Sequence, residues 1–135
     1  MTTENKIIIA LMVLGSLIGL FLGAVLENKP IACVDYIIDG DTVELQNGNR
    51  VRIAGIDTPE MNFYNEKEPE EGARKAKKHA EILLKGECLP IIYQESEVTN
   101  EKRGTYNRLI ADFYLPTKEM LFSEYMLKSE LAEPF

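Results

Sequence analysis

Soft metal ligands are nearly absent from this chain. Histidine occurs once, at His79, and cysteine twice, at Cys33 and Cys88, 55 positions apart and with no C-x-x-C pair. A structural zinc site therefore has too few ligands. Positive charge is also scarce: 15 Lys and Arg stand against 22 Asp and Glu, giving a net charge of −7. That balance argues against salt-driven gripping of long nucleic acid, which needs many cations on phosphates. It leaves room for an enzyme that engages a few nucleotides through local arginines and a bound divalent cation. No low-complexity tract and no internal repeat is present, and the length suits one compact domain.

One long apolar run stands out. Residues 7–26, from Ile7 to Leu26, carry no charge over 20 positions. A helix of that length rises roughly 30 Å, enough to cross a bilayer core. The run is expected to be a transmembrane anchor; the alternative is a signal segment cleaved near Leu22-Gly23-Ala24, although cleaved signals usually have shorter apolar cores. Glu27-Asn28-Lys29-Pro30 breaks the helix, so residues 1–30 read as anchor and linker and 31–135 as the folded domain. The two cysteines are either free and buried or joined in one disulfide, the latter if the domain lies outside the cytoplasm.

From Ile31 onward the pattern is α+β. Ile31–Ile38, Thr42–Leu45 and Arg50–Ile56 are short, β-branched-rich runs, with Asp39-Gly40-Asp41 and Asn47-Gly48 as turns between them. Glu70–Lys85 reads as a helix, with Ala73, Ala76, Ala80 and Leu83 or Leu84 on one face, acids in its first turn and Lys85-Gly86 at its end. Its basic residues read as a solvated face. Leu89–Tyr93 and Leu109–Leu115 supply two more strands, separated by a long polar stretch that suits a functional loop. Glu119–Leu131 closes the chain as a second helix. Five strands with a helix after the third predict a five-stranded, OB-like Greek-key barrel with two helices.

Acidic groups stand at two of the turns: Asp39 and Asp41, then Asp57 and Glu60. Each turn alone is unremarkable, since Asp and Gly favour turns. Together they point to chemistry, because a hairpin of this length returns Asp57 towards Asp41. Two carboxylates with the backbone oxygen of Thr58, held extended by Pro59, make a hard-oxygen set suited to Ca²⁺. Glu60 is near enough to steer a water. Arg52, on the face opposite Val51 and Ile53, and Arg108, at the head of the last strand, supply planar guanidinium groups for a phosphate.

Ile38-Asp39-Gly40-Asp41-Thr42-Val43, Arg52-Ile53-Ala54-Gly55-Ile56-Asp57-Thr58-Pro59-Glu60 and Thr105-Tyr106-Asn107-Arg108 resemble, in order and approximate spacing, the thermonuclease (staphylococcal-nuclease-like) family. The resemblance covers roughly residues 34–133 and ends on Leu131-Ala132-Glu133. It implies an OB-like barrel and Ca²⁺-dependent cleavage of DNA and RNA leaving 3′-phosphate ends. Position by position, it implies Asp41, Asp57 and Thr58 as metal ligands, Glu60 as general base, Arg52 and Arg108 as phosphate-binding catalytic groups, Tyr106 as a nucleotide contact and Asp39 as support for the ligands. It places Cys33 and Cys88 on neighbouring strands, suited to a disulfide. Three departures stand out: Asn107 replaces the usual glycine, Thr105 replaces a lysine, and the family's third helix has no counterpart before Phe135. The expected function is an extracytoplasmic, membrane-anchored or secreted endonuclease with a nucleic-acid substrate and no protein partner. An inactive OB-type nucleic-acid-binding module tethered to the membrane is the alternative.

Overall fold

A computed structural model of the chain describes residues 2–14, 28–63, 66–94, 103–104 and 108–135. Three antiparallel strands form first, β1 (Ile31–Asp39), β2 (Thr42–Leu45) and β3 (Arg50–Ile53), and β4 (Ile56–Asp57) follows. A helix (Ala73–Leu84) leads to β5 (Cys88–Tyr93), and β6 (Arg103–Gly104) precedes β7 (Arg108–Leu115). β8 (Met120–Leu121), a helix over Phe122–Lys128 and β9 (Glu133–Pro134) complete the order. Residues 3–14 are also helical, and the three helices are named α1, α2 and α3 in chain order.

β3, β2, β1, β5 and β7 lie side by side in that order, and β3 then pairs with β7 in parallel, closing a five-stranded barrel. Closure leaves these strands without an open edge. Val34, Ile37, Val43, Val51, Ile53, Ile91 and Phe113 fill the interior. The alanine face of α2, Ala76 and Ala80 with Leu84, packs against that core, and Phe122 and Met126 of α3 cover another part of it. Asp112 ties α3 to the barrel: it is buried and accepts hydrogen bonds from the Ser123 hydroxyl and from the backbone N–H groups of Ser123 and Phe113.

The α+β barrel agrees with the expectation, and several boundaries differ for identifiable reasons. The run Arg50–Ile56 is two strands, because a turn at Ala54 and Gly55 interrupts it. α2 begins at Ala73 and has no acid in its first turn and no base in its last. Glu70 stays outside the helix, where its carboxylate accepts the Glu60 N–H at 2.9 Å and its own N–H donates to the Glu60 carbonyl at 2.9 Å. The closing helix is shorter than Glu119–Leu131, since Met120 and Leu121 pair with β7.

Cys33 and Cys88 face each other across β1 and β5 and form a disulfide. The apolar run 7–26 lies partly outside the described residues, which include only residues 7–14 of it. Among the described residues no helix is long and apolar enough to cross a membrane.

Candidate active site

Two turns converge to build the site. β1 carries irregularities in its pairing with β2, between Val34 and Tyr36 and between Ile37 and Asp39. Bulges of this kind re-aim side chains; here Ile37 and Ile38 are both buried while Asp39 is only partly so. At Gly40 the chain passes so close to α2 that a Cβ would stand 2.8 Å from the Ala76 Cβ and 3.1 Å from the Thr58 side chain. The glycine therefore serves close packing. That packing buries the next residue, Asp41, to 2 % exposure. Its Oδ2 accepts the Thr58 N–H at 2.8 Å and its Oδ1 accepts the Thr42 hydroxyl at 3.0 Å.

The second turn, between β3 and β4, is made possible by Gly55 at φ +75°, a conformation that costs glycine little. Arg52 braces it from outside the barrel. Its Nη1 donates to the carbonyls of Ile53 at 3.1 Å and Ile56 at 2.7 Å, and lies 3.4 Å from Asp41 Oδ2. Its Nη2 donates to Asp57 Oδ1 at 3.0 Å. One guanidinium thus joins the buried Asp41 to Asp57, whose side chain is exposed. Phe135 completes this corner: its N–H donates to the Gly55 carbonyl at 3.1 Å and its ring lies 5.6 Å from the Arg52 guanidinium, while β9 pairs with β4.

Asp39 and Glu60 form the acidic side. Asp39 Oδ1 accepts the Met61 N–H at 3.2 Å, which draws the start of the loop after Pro59 onto β1. Partial burial raises the Asp39 carboxyl above its usual range, and the nearby Asp41 adds to the effect. Glu60 is an exposed residue overall, yet its carboxyl is pushed up to about 7. The largest cause is lost solvation, followed by the charges of Asp39, Asp41 and Asp57 and a hydrogen bond to Asp39. Protonated Glu60 donates to Asp39 in that bond. Beside Asp57, Thr58 and Pro59 opens a cavity of about 300 Å³ whose other walls include Glu70, Glu71, Glu130 and Glu133.

Arg108 stands at the head of β7, opposite Arg50 across the parallel seam, two positions before the partner of Arg52. Inward positions Ala111, Phe113 and Leu115 are buried, so strand alternation puts Arg108 on the outer surface with Arg52. Tyr106, Thr105 and Asn107 lie outside the described residues.

The sequence decides the family: residues 50–134 match the description staphylococcal nuclease homologue. The chain belongs to the staphylococcal nuclease homologue family. No curated protein matches it. Members of this family are generally nucleases and typically calcium-dependent. The matched stretch contains Arg52, Asp57, Thr58, Glu60 and Arg108; Asp39 and Asp41 precede it and are joined to it by the Asp41–Thr58 hydrogen bond.

The donor set fits the hard cation typical of staphylococcal nuclease homologues. Among the described residues no three acids, histidines or cysteines form a complete cage. Asp41 and Asp57, brought together on Arg52, are the carboxylates that would hold it, with Thr58 supplying backbone oxygen and water the remainder. Excess negative charge favours the same conclusion, since Asp39, Asp41 and Asp57 all contribute to raising Glu60. Sequence reasoning missed Glu70 and Phe135. Glu70 carried the signature of a helix start, and no local pattern links Phe135 to a turn some 80 residues earlier.

Proposed function

We propose that the chain is a calcium-dependent endonuclease that hydrolyses phosphodiester bonds of DNA and RNA by in-line attack of water. The observation that carries this reading is the gathering of Asp41 and Asp57 on Arg52, with the Glu60 carboxyl raised to about 7 beside them. Asp41, Asp57 and the Thr58 carbonyl would hold the calcium ion, which when bound would supply positive charge to offset that of the phosphate. Arg52, fixed by two carbonyls and two carboxylates, is preorganised to donate to a phosphoryl group as its charge develops. Arg108 approaches the same phosphate from the neighbouring strand. Glu60, whose backbone is fixed by Glu70 and whose carboxyl faces Asp39, takes the proton of the attacking water. Asp39 orients Glu60, and Tyr106 contacts the nucleotide.

The test is incubation of the full chain with single-stranded DNA in calcium or in chelator. Cleavage confined to calcium, leaving 3′-phosphate ends, is expected; undiminished cleavage in excess chelator would sink the two-carboxylate site. Binding without cleavage would make the chain a nucleic-acid-binding module.

The domain's setting is part of the same proposal. The Cys33–Cys88 bridge supports an oxidising compartment outside the cytoplasm. The uncharged run 7–26 supports attachment to a membrane. Recovery of the chain in the membrane pellet after a high-pH carbonate wash is the expected result.

A further inference from the structure

One cluster of side chains next to the acidic site is not used by the chemistry above. Tyr36 on β1 and Phe63 in the loop after Glu60 are large aromatic residues left 48 % and 53 % exposed. Between them stands Lys77 of α2, its Nζ 5.5 Å from the Tyr36 ring centroid and 4.6 Å from that of Phe63. Lys85, the residue that follows the last of α2, holds its Nζ 5.9 Å from the Tyr36 ring. The Lys77 side chain is itself only 15 % exposed and lies 4.0 Å from Glu81. Each ring therefore lies against at least one ammonium group. An exposed aromatic ring in a protein of net charge −7, steadied from beneath by cations, is unlike a residue placed merely to fill space.

This cluster is continuous with the candidate active site. Tyr36 precedes Asp39 by three residues on the same strand, and Phe63 follows Met61, whose N–H is bonded to Asp39. Lys77 is close enough to Asp39 to lower its carboxyl, against the burial that raises it. The cavity beside Asp57 and Thr58, whose walls also carry Glu70, Glu71, Glu130 and Glu133, shares no residue with the cluster. A strand bound at Arg52 thus meets carboxylates at that cavity, and lysines with exposed rings at the cluster.

We infer that Tyr36, Phe63, Lys77 and Lys85 form a stacking platform for unpaired bases of a single-stranded nucleic acid, extending the substrate track beyond the scissile phosphate. Bases lie on the outer ring faces, and the backbone follows the lysines. The inference rests on the nuclease reading for the direction of the track, while the platform's own binding does not require hydrolysis.

Two end-labelled probes, an octathymidylate and a thymidine dinucleotide, are titrated by anisotropy with the full chain in chelator, so that no cleavage intervenes. Tyr36→Ser and Phe63→Ser are each expected to weaken octanucleotide binding by roughly tenfold, the scale of one lost base–aromatic stack. Dinucleotide binding stays unchanged. Tyr36→Phe and Phe63→Tyr, which keep the rings, retain wild-type affinity for both. Because Tyr36 and Phe63 sit on different elements, agreement between their variants separates stacking from local unfolding, which melting curves check. Equal losses for the two probes, or no loss for either, would overturn the platform. Ring-dependent octanucleotide binding by a chain that cuts nothing in calcium supports the platform and overturns the hydrolytic reading instead.

Discussion

Glu60 illustrates how a single carboxyl acquires a role from its neighbours. Its backbone is clamped on both sides by Glu70, and its side chain faces Asp39 with further acids behind. Lost solvation and like charge lift its carboxyl from 4.5 to about 7 in the metal-free protein. The folded state therefore holds this proton more tightly than the unfolded chain. The stability it contributes is fully present below pH 4.5 and is lost as pH rises to about 7. In chelator, Glu60→Gln, which cannot ionise, is expected to melt higher than the parent at pH 8. The difference should shrink towards pH 4.5, and a gap that does not depend on pH would rule out this origin. On single-stranded DNA in calcium the same variant should keep substrate affinity and lose on the order of 10² or more in kcat, as for a displaced general base. Steady-state kinetics read that split directly.

Among elements, the contact of the β1–β2 turn with α2 decides whether the site exists. Gly40 lies against Ala76 and Thr58 with no room for a methyl group. Gly40→Ala must push α2 or the turn outward, at about 1–3 kcal/mol for forced overpacking. The displacement falls on Asp41 and Thr58, so calcium affinity, read by calorimetry, should drop even where the fold survives. Unchanged affinity would mean that the turn yields elsewhere. This contact also marks what the chain discloses by itself. Alternation and turn residues reveal five barrel strands, and the acidic turns with Arg52 reveal the site, because each depends on neighbours within a few positions. The contact of Gly40 with Ala76, the bond of Glu70 to Glu60 and the reach of Phe135 to Arg52 depend on how distant segments pack. Gly40 looks like a turn glycine and Glu70 like a helix start, and only tertiary packing distinguishes the actual roles.

At the scale of the whole molecule, the disulfide is a constraint that the core does not provide. It closes a span of 55 residues between β1 and β5, worth roughly 4 kcal/mol in the chain-entropy account. Reduction should lower the melting temperature by on the order of 10 °C or more for a domain of this size. Thermal scans with and without reductant measure the change, and an unchanged midpoint would show that the bridge constrains nothing. Thiol titration of the unreduced, unfolded chain should find no free thiol.

The barrel closes where β3 meets β7 in parallel, and Arg52 and Arg108 stand on the two sides of that seam. The strands joined there lie far apart in sequence, Arg50 pairing with Arg108, whereas Cys33–Cys88 ties β1 to β5 on the other side of the ring. The ring thus has a covalent hinge and a hydrogen-bonded latch. Were heat or denaturant to open the ring at that latch, release would part the two arginines while the hinge held β1 against β5. Loss of phosphate binding would then precede loss of the core, and cooling would let the latch re-engage without a search for partners.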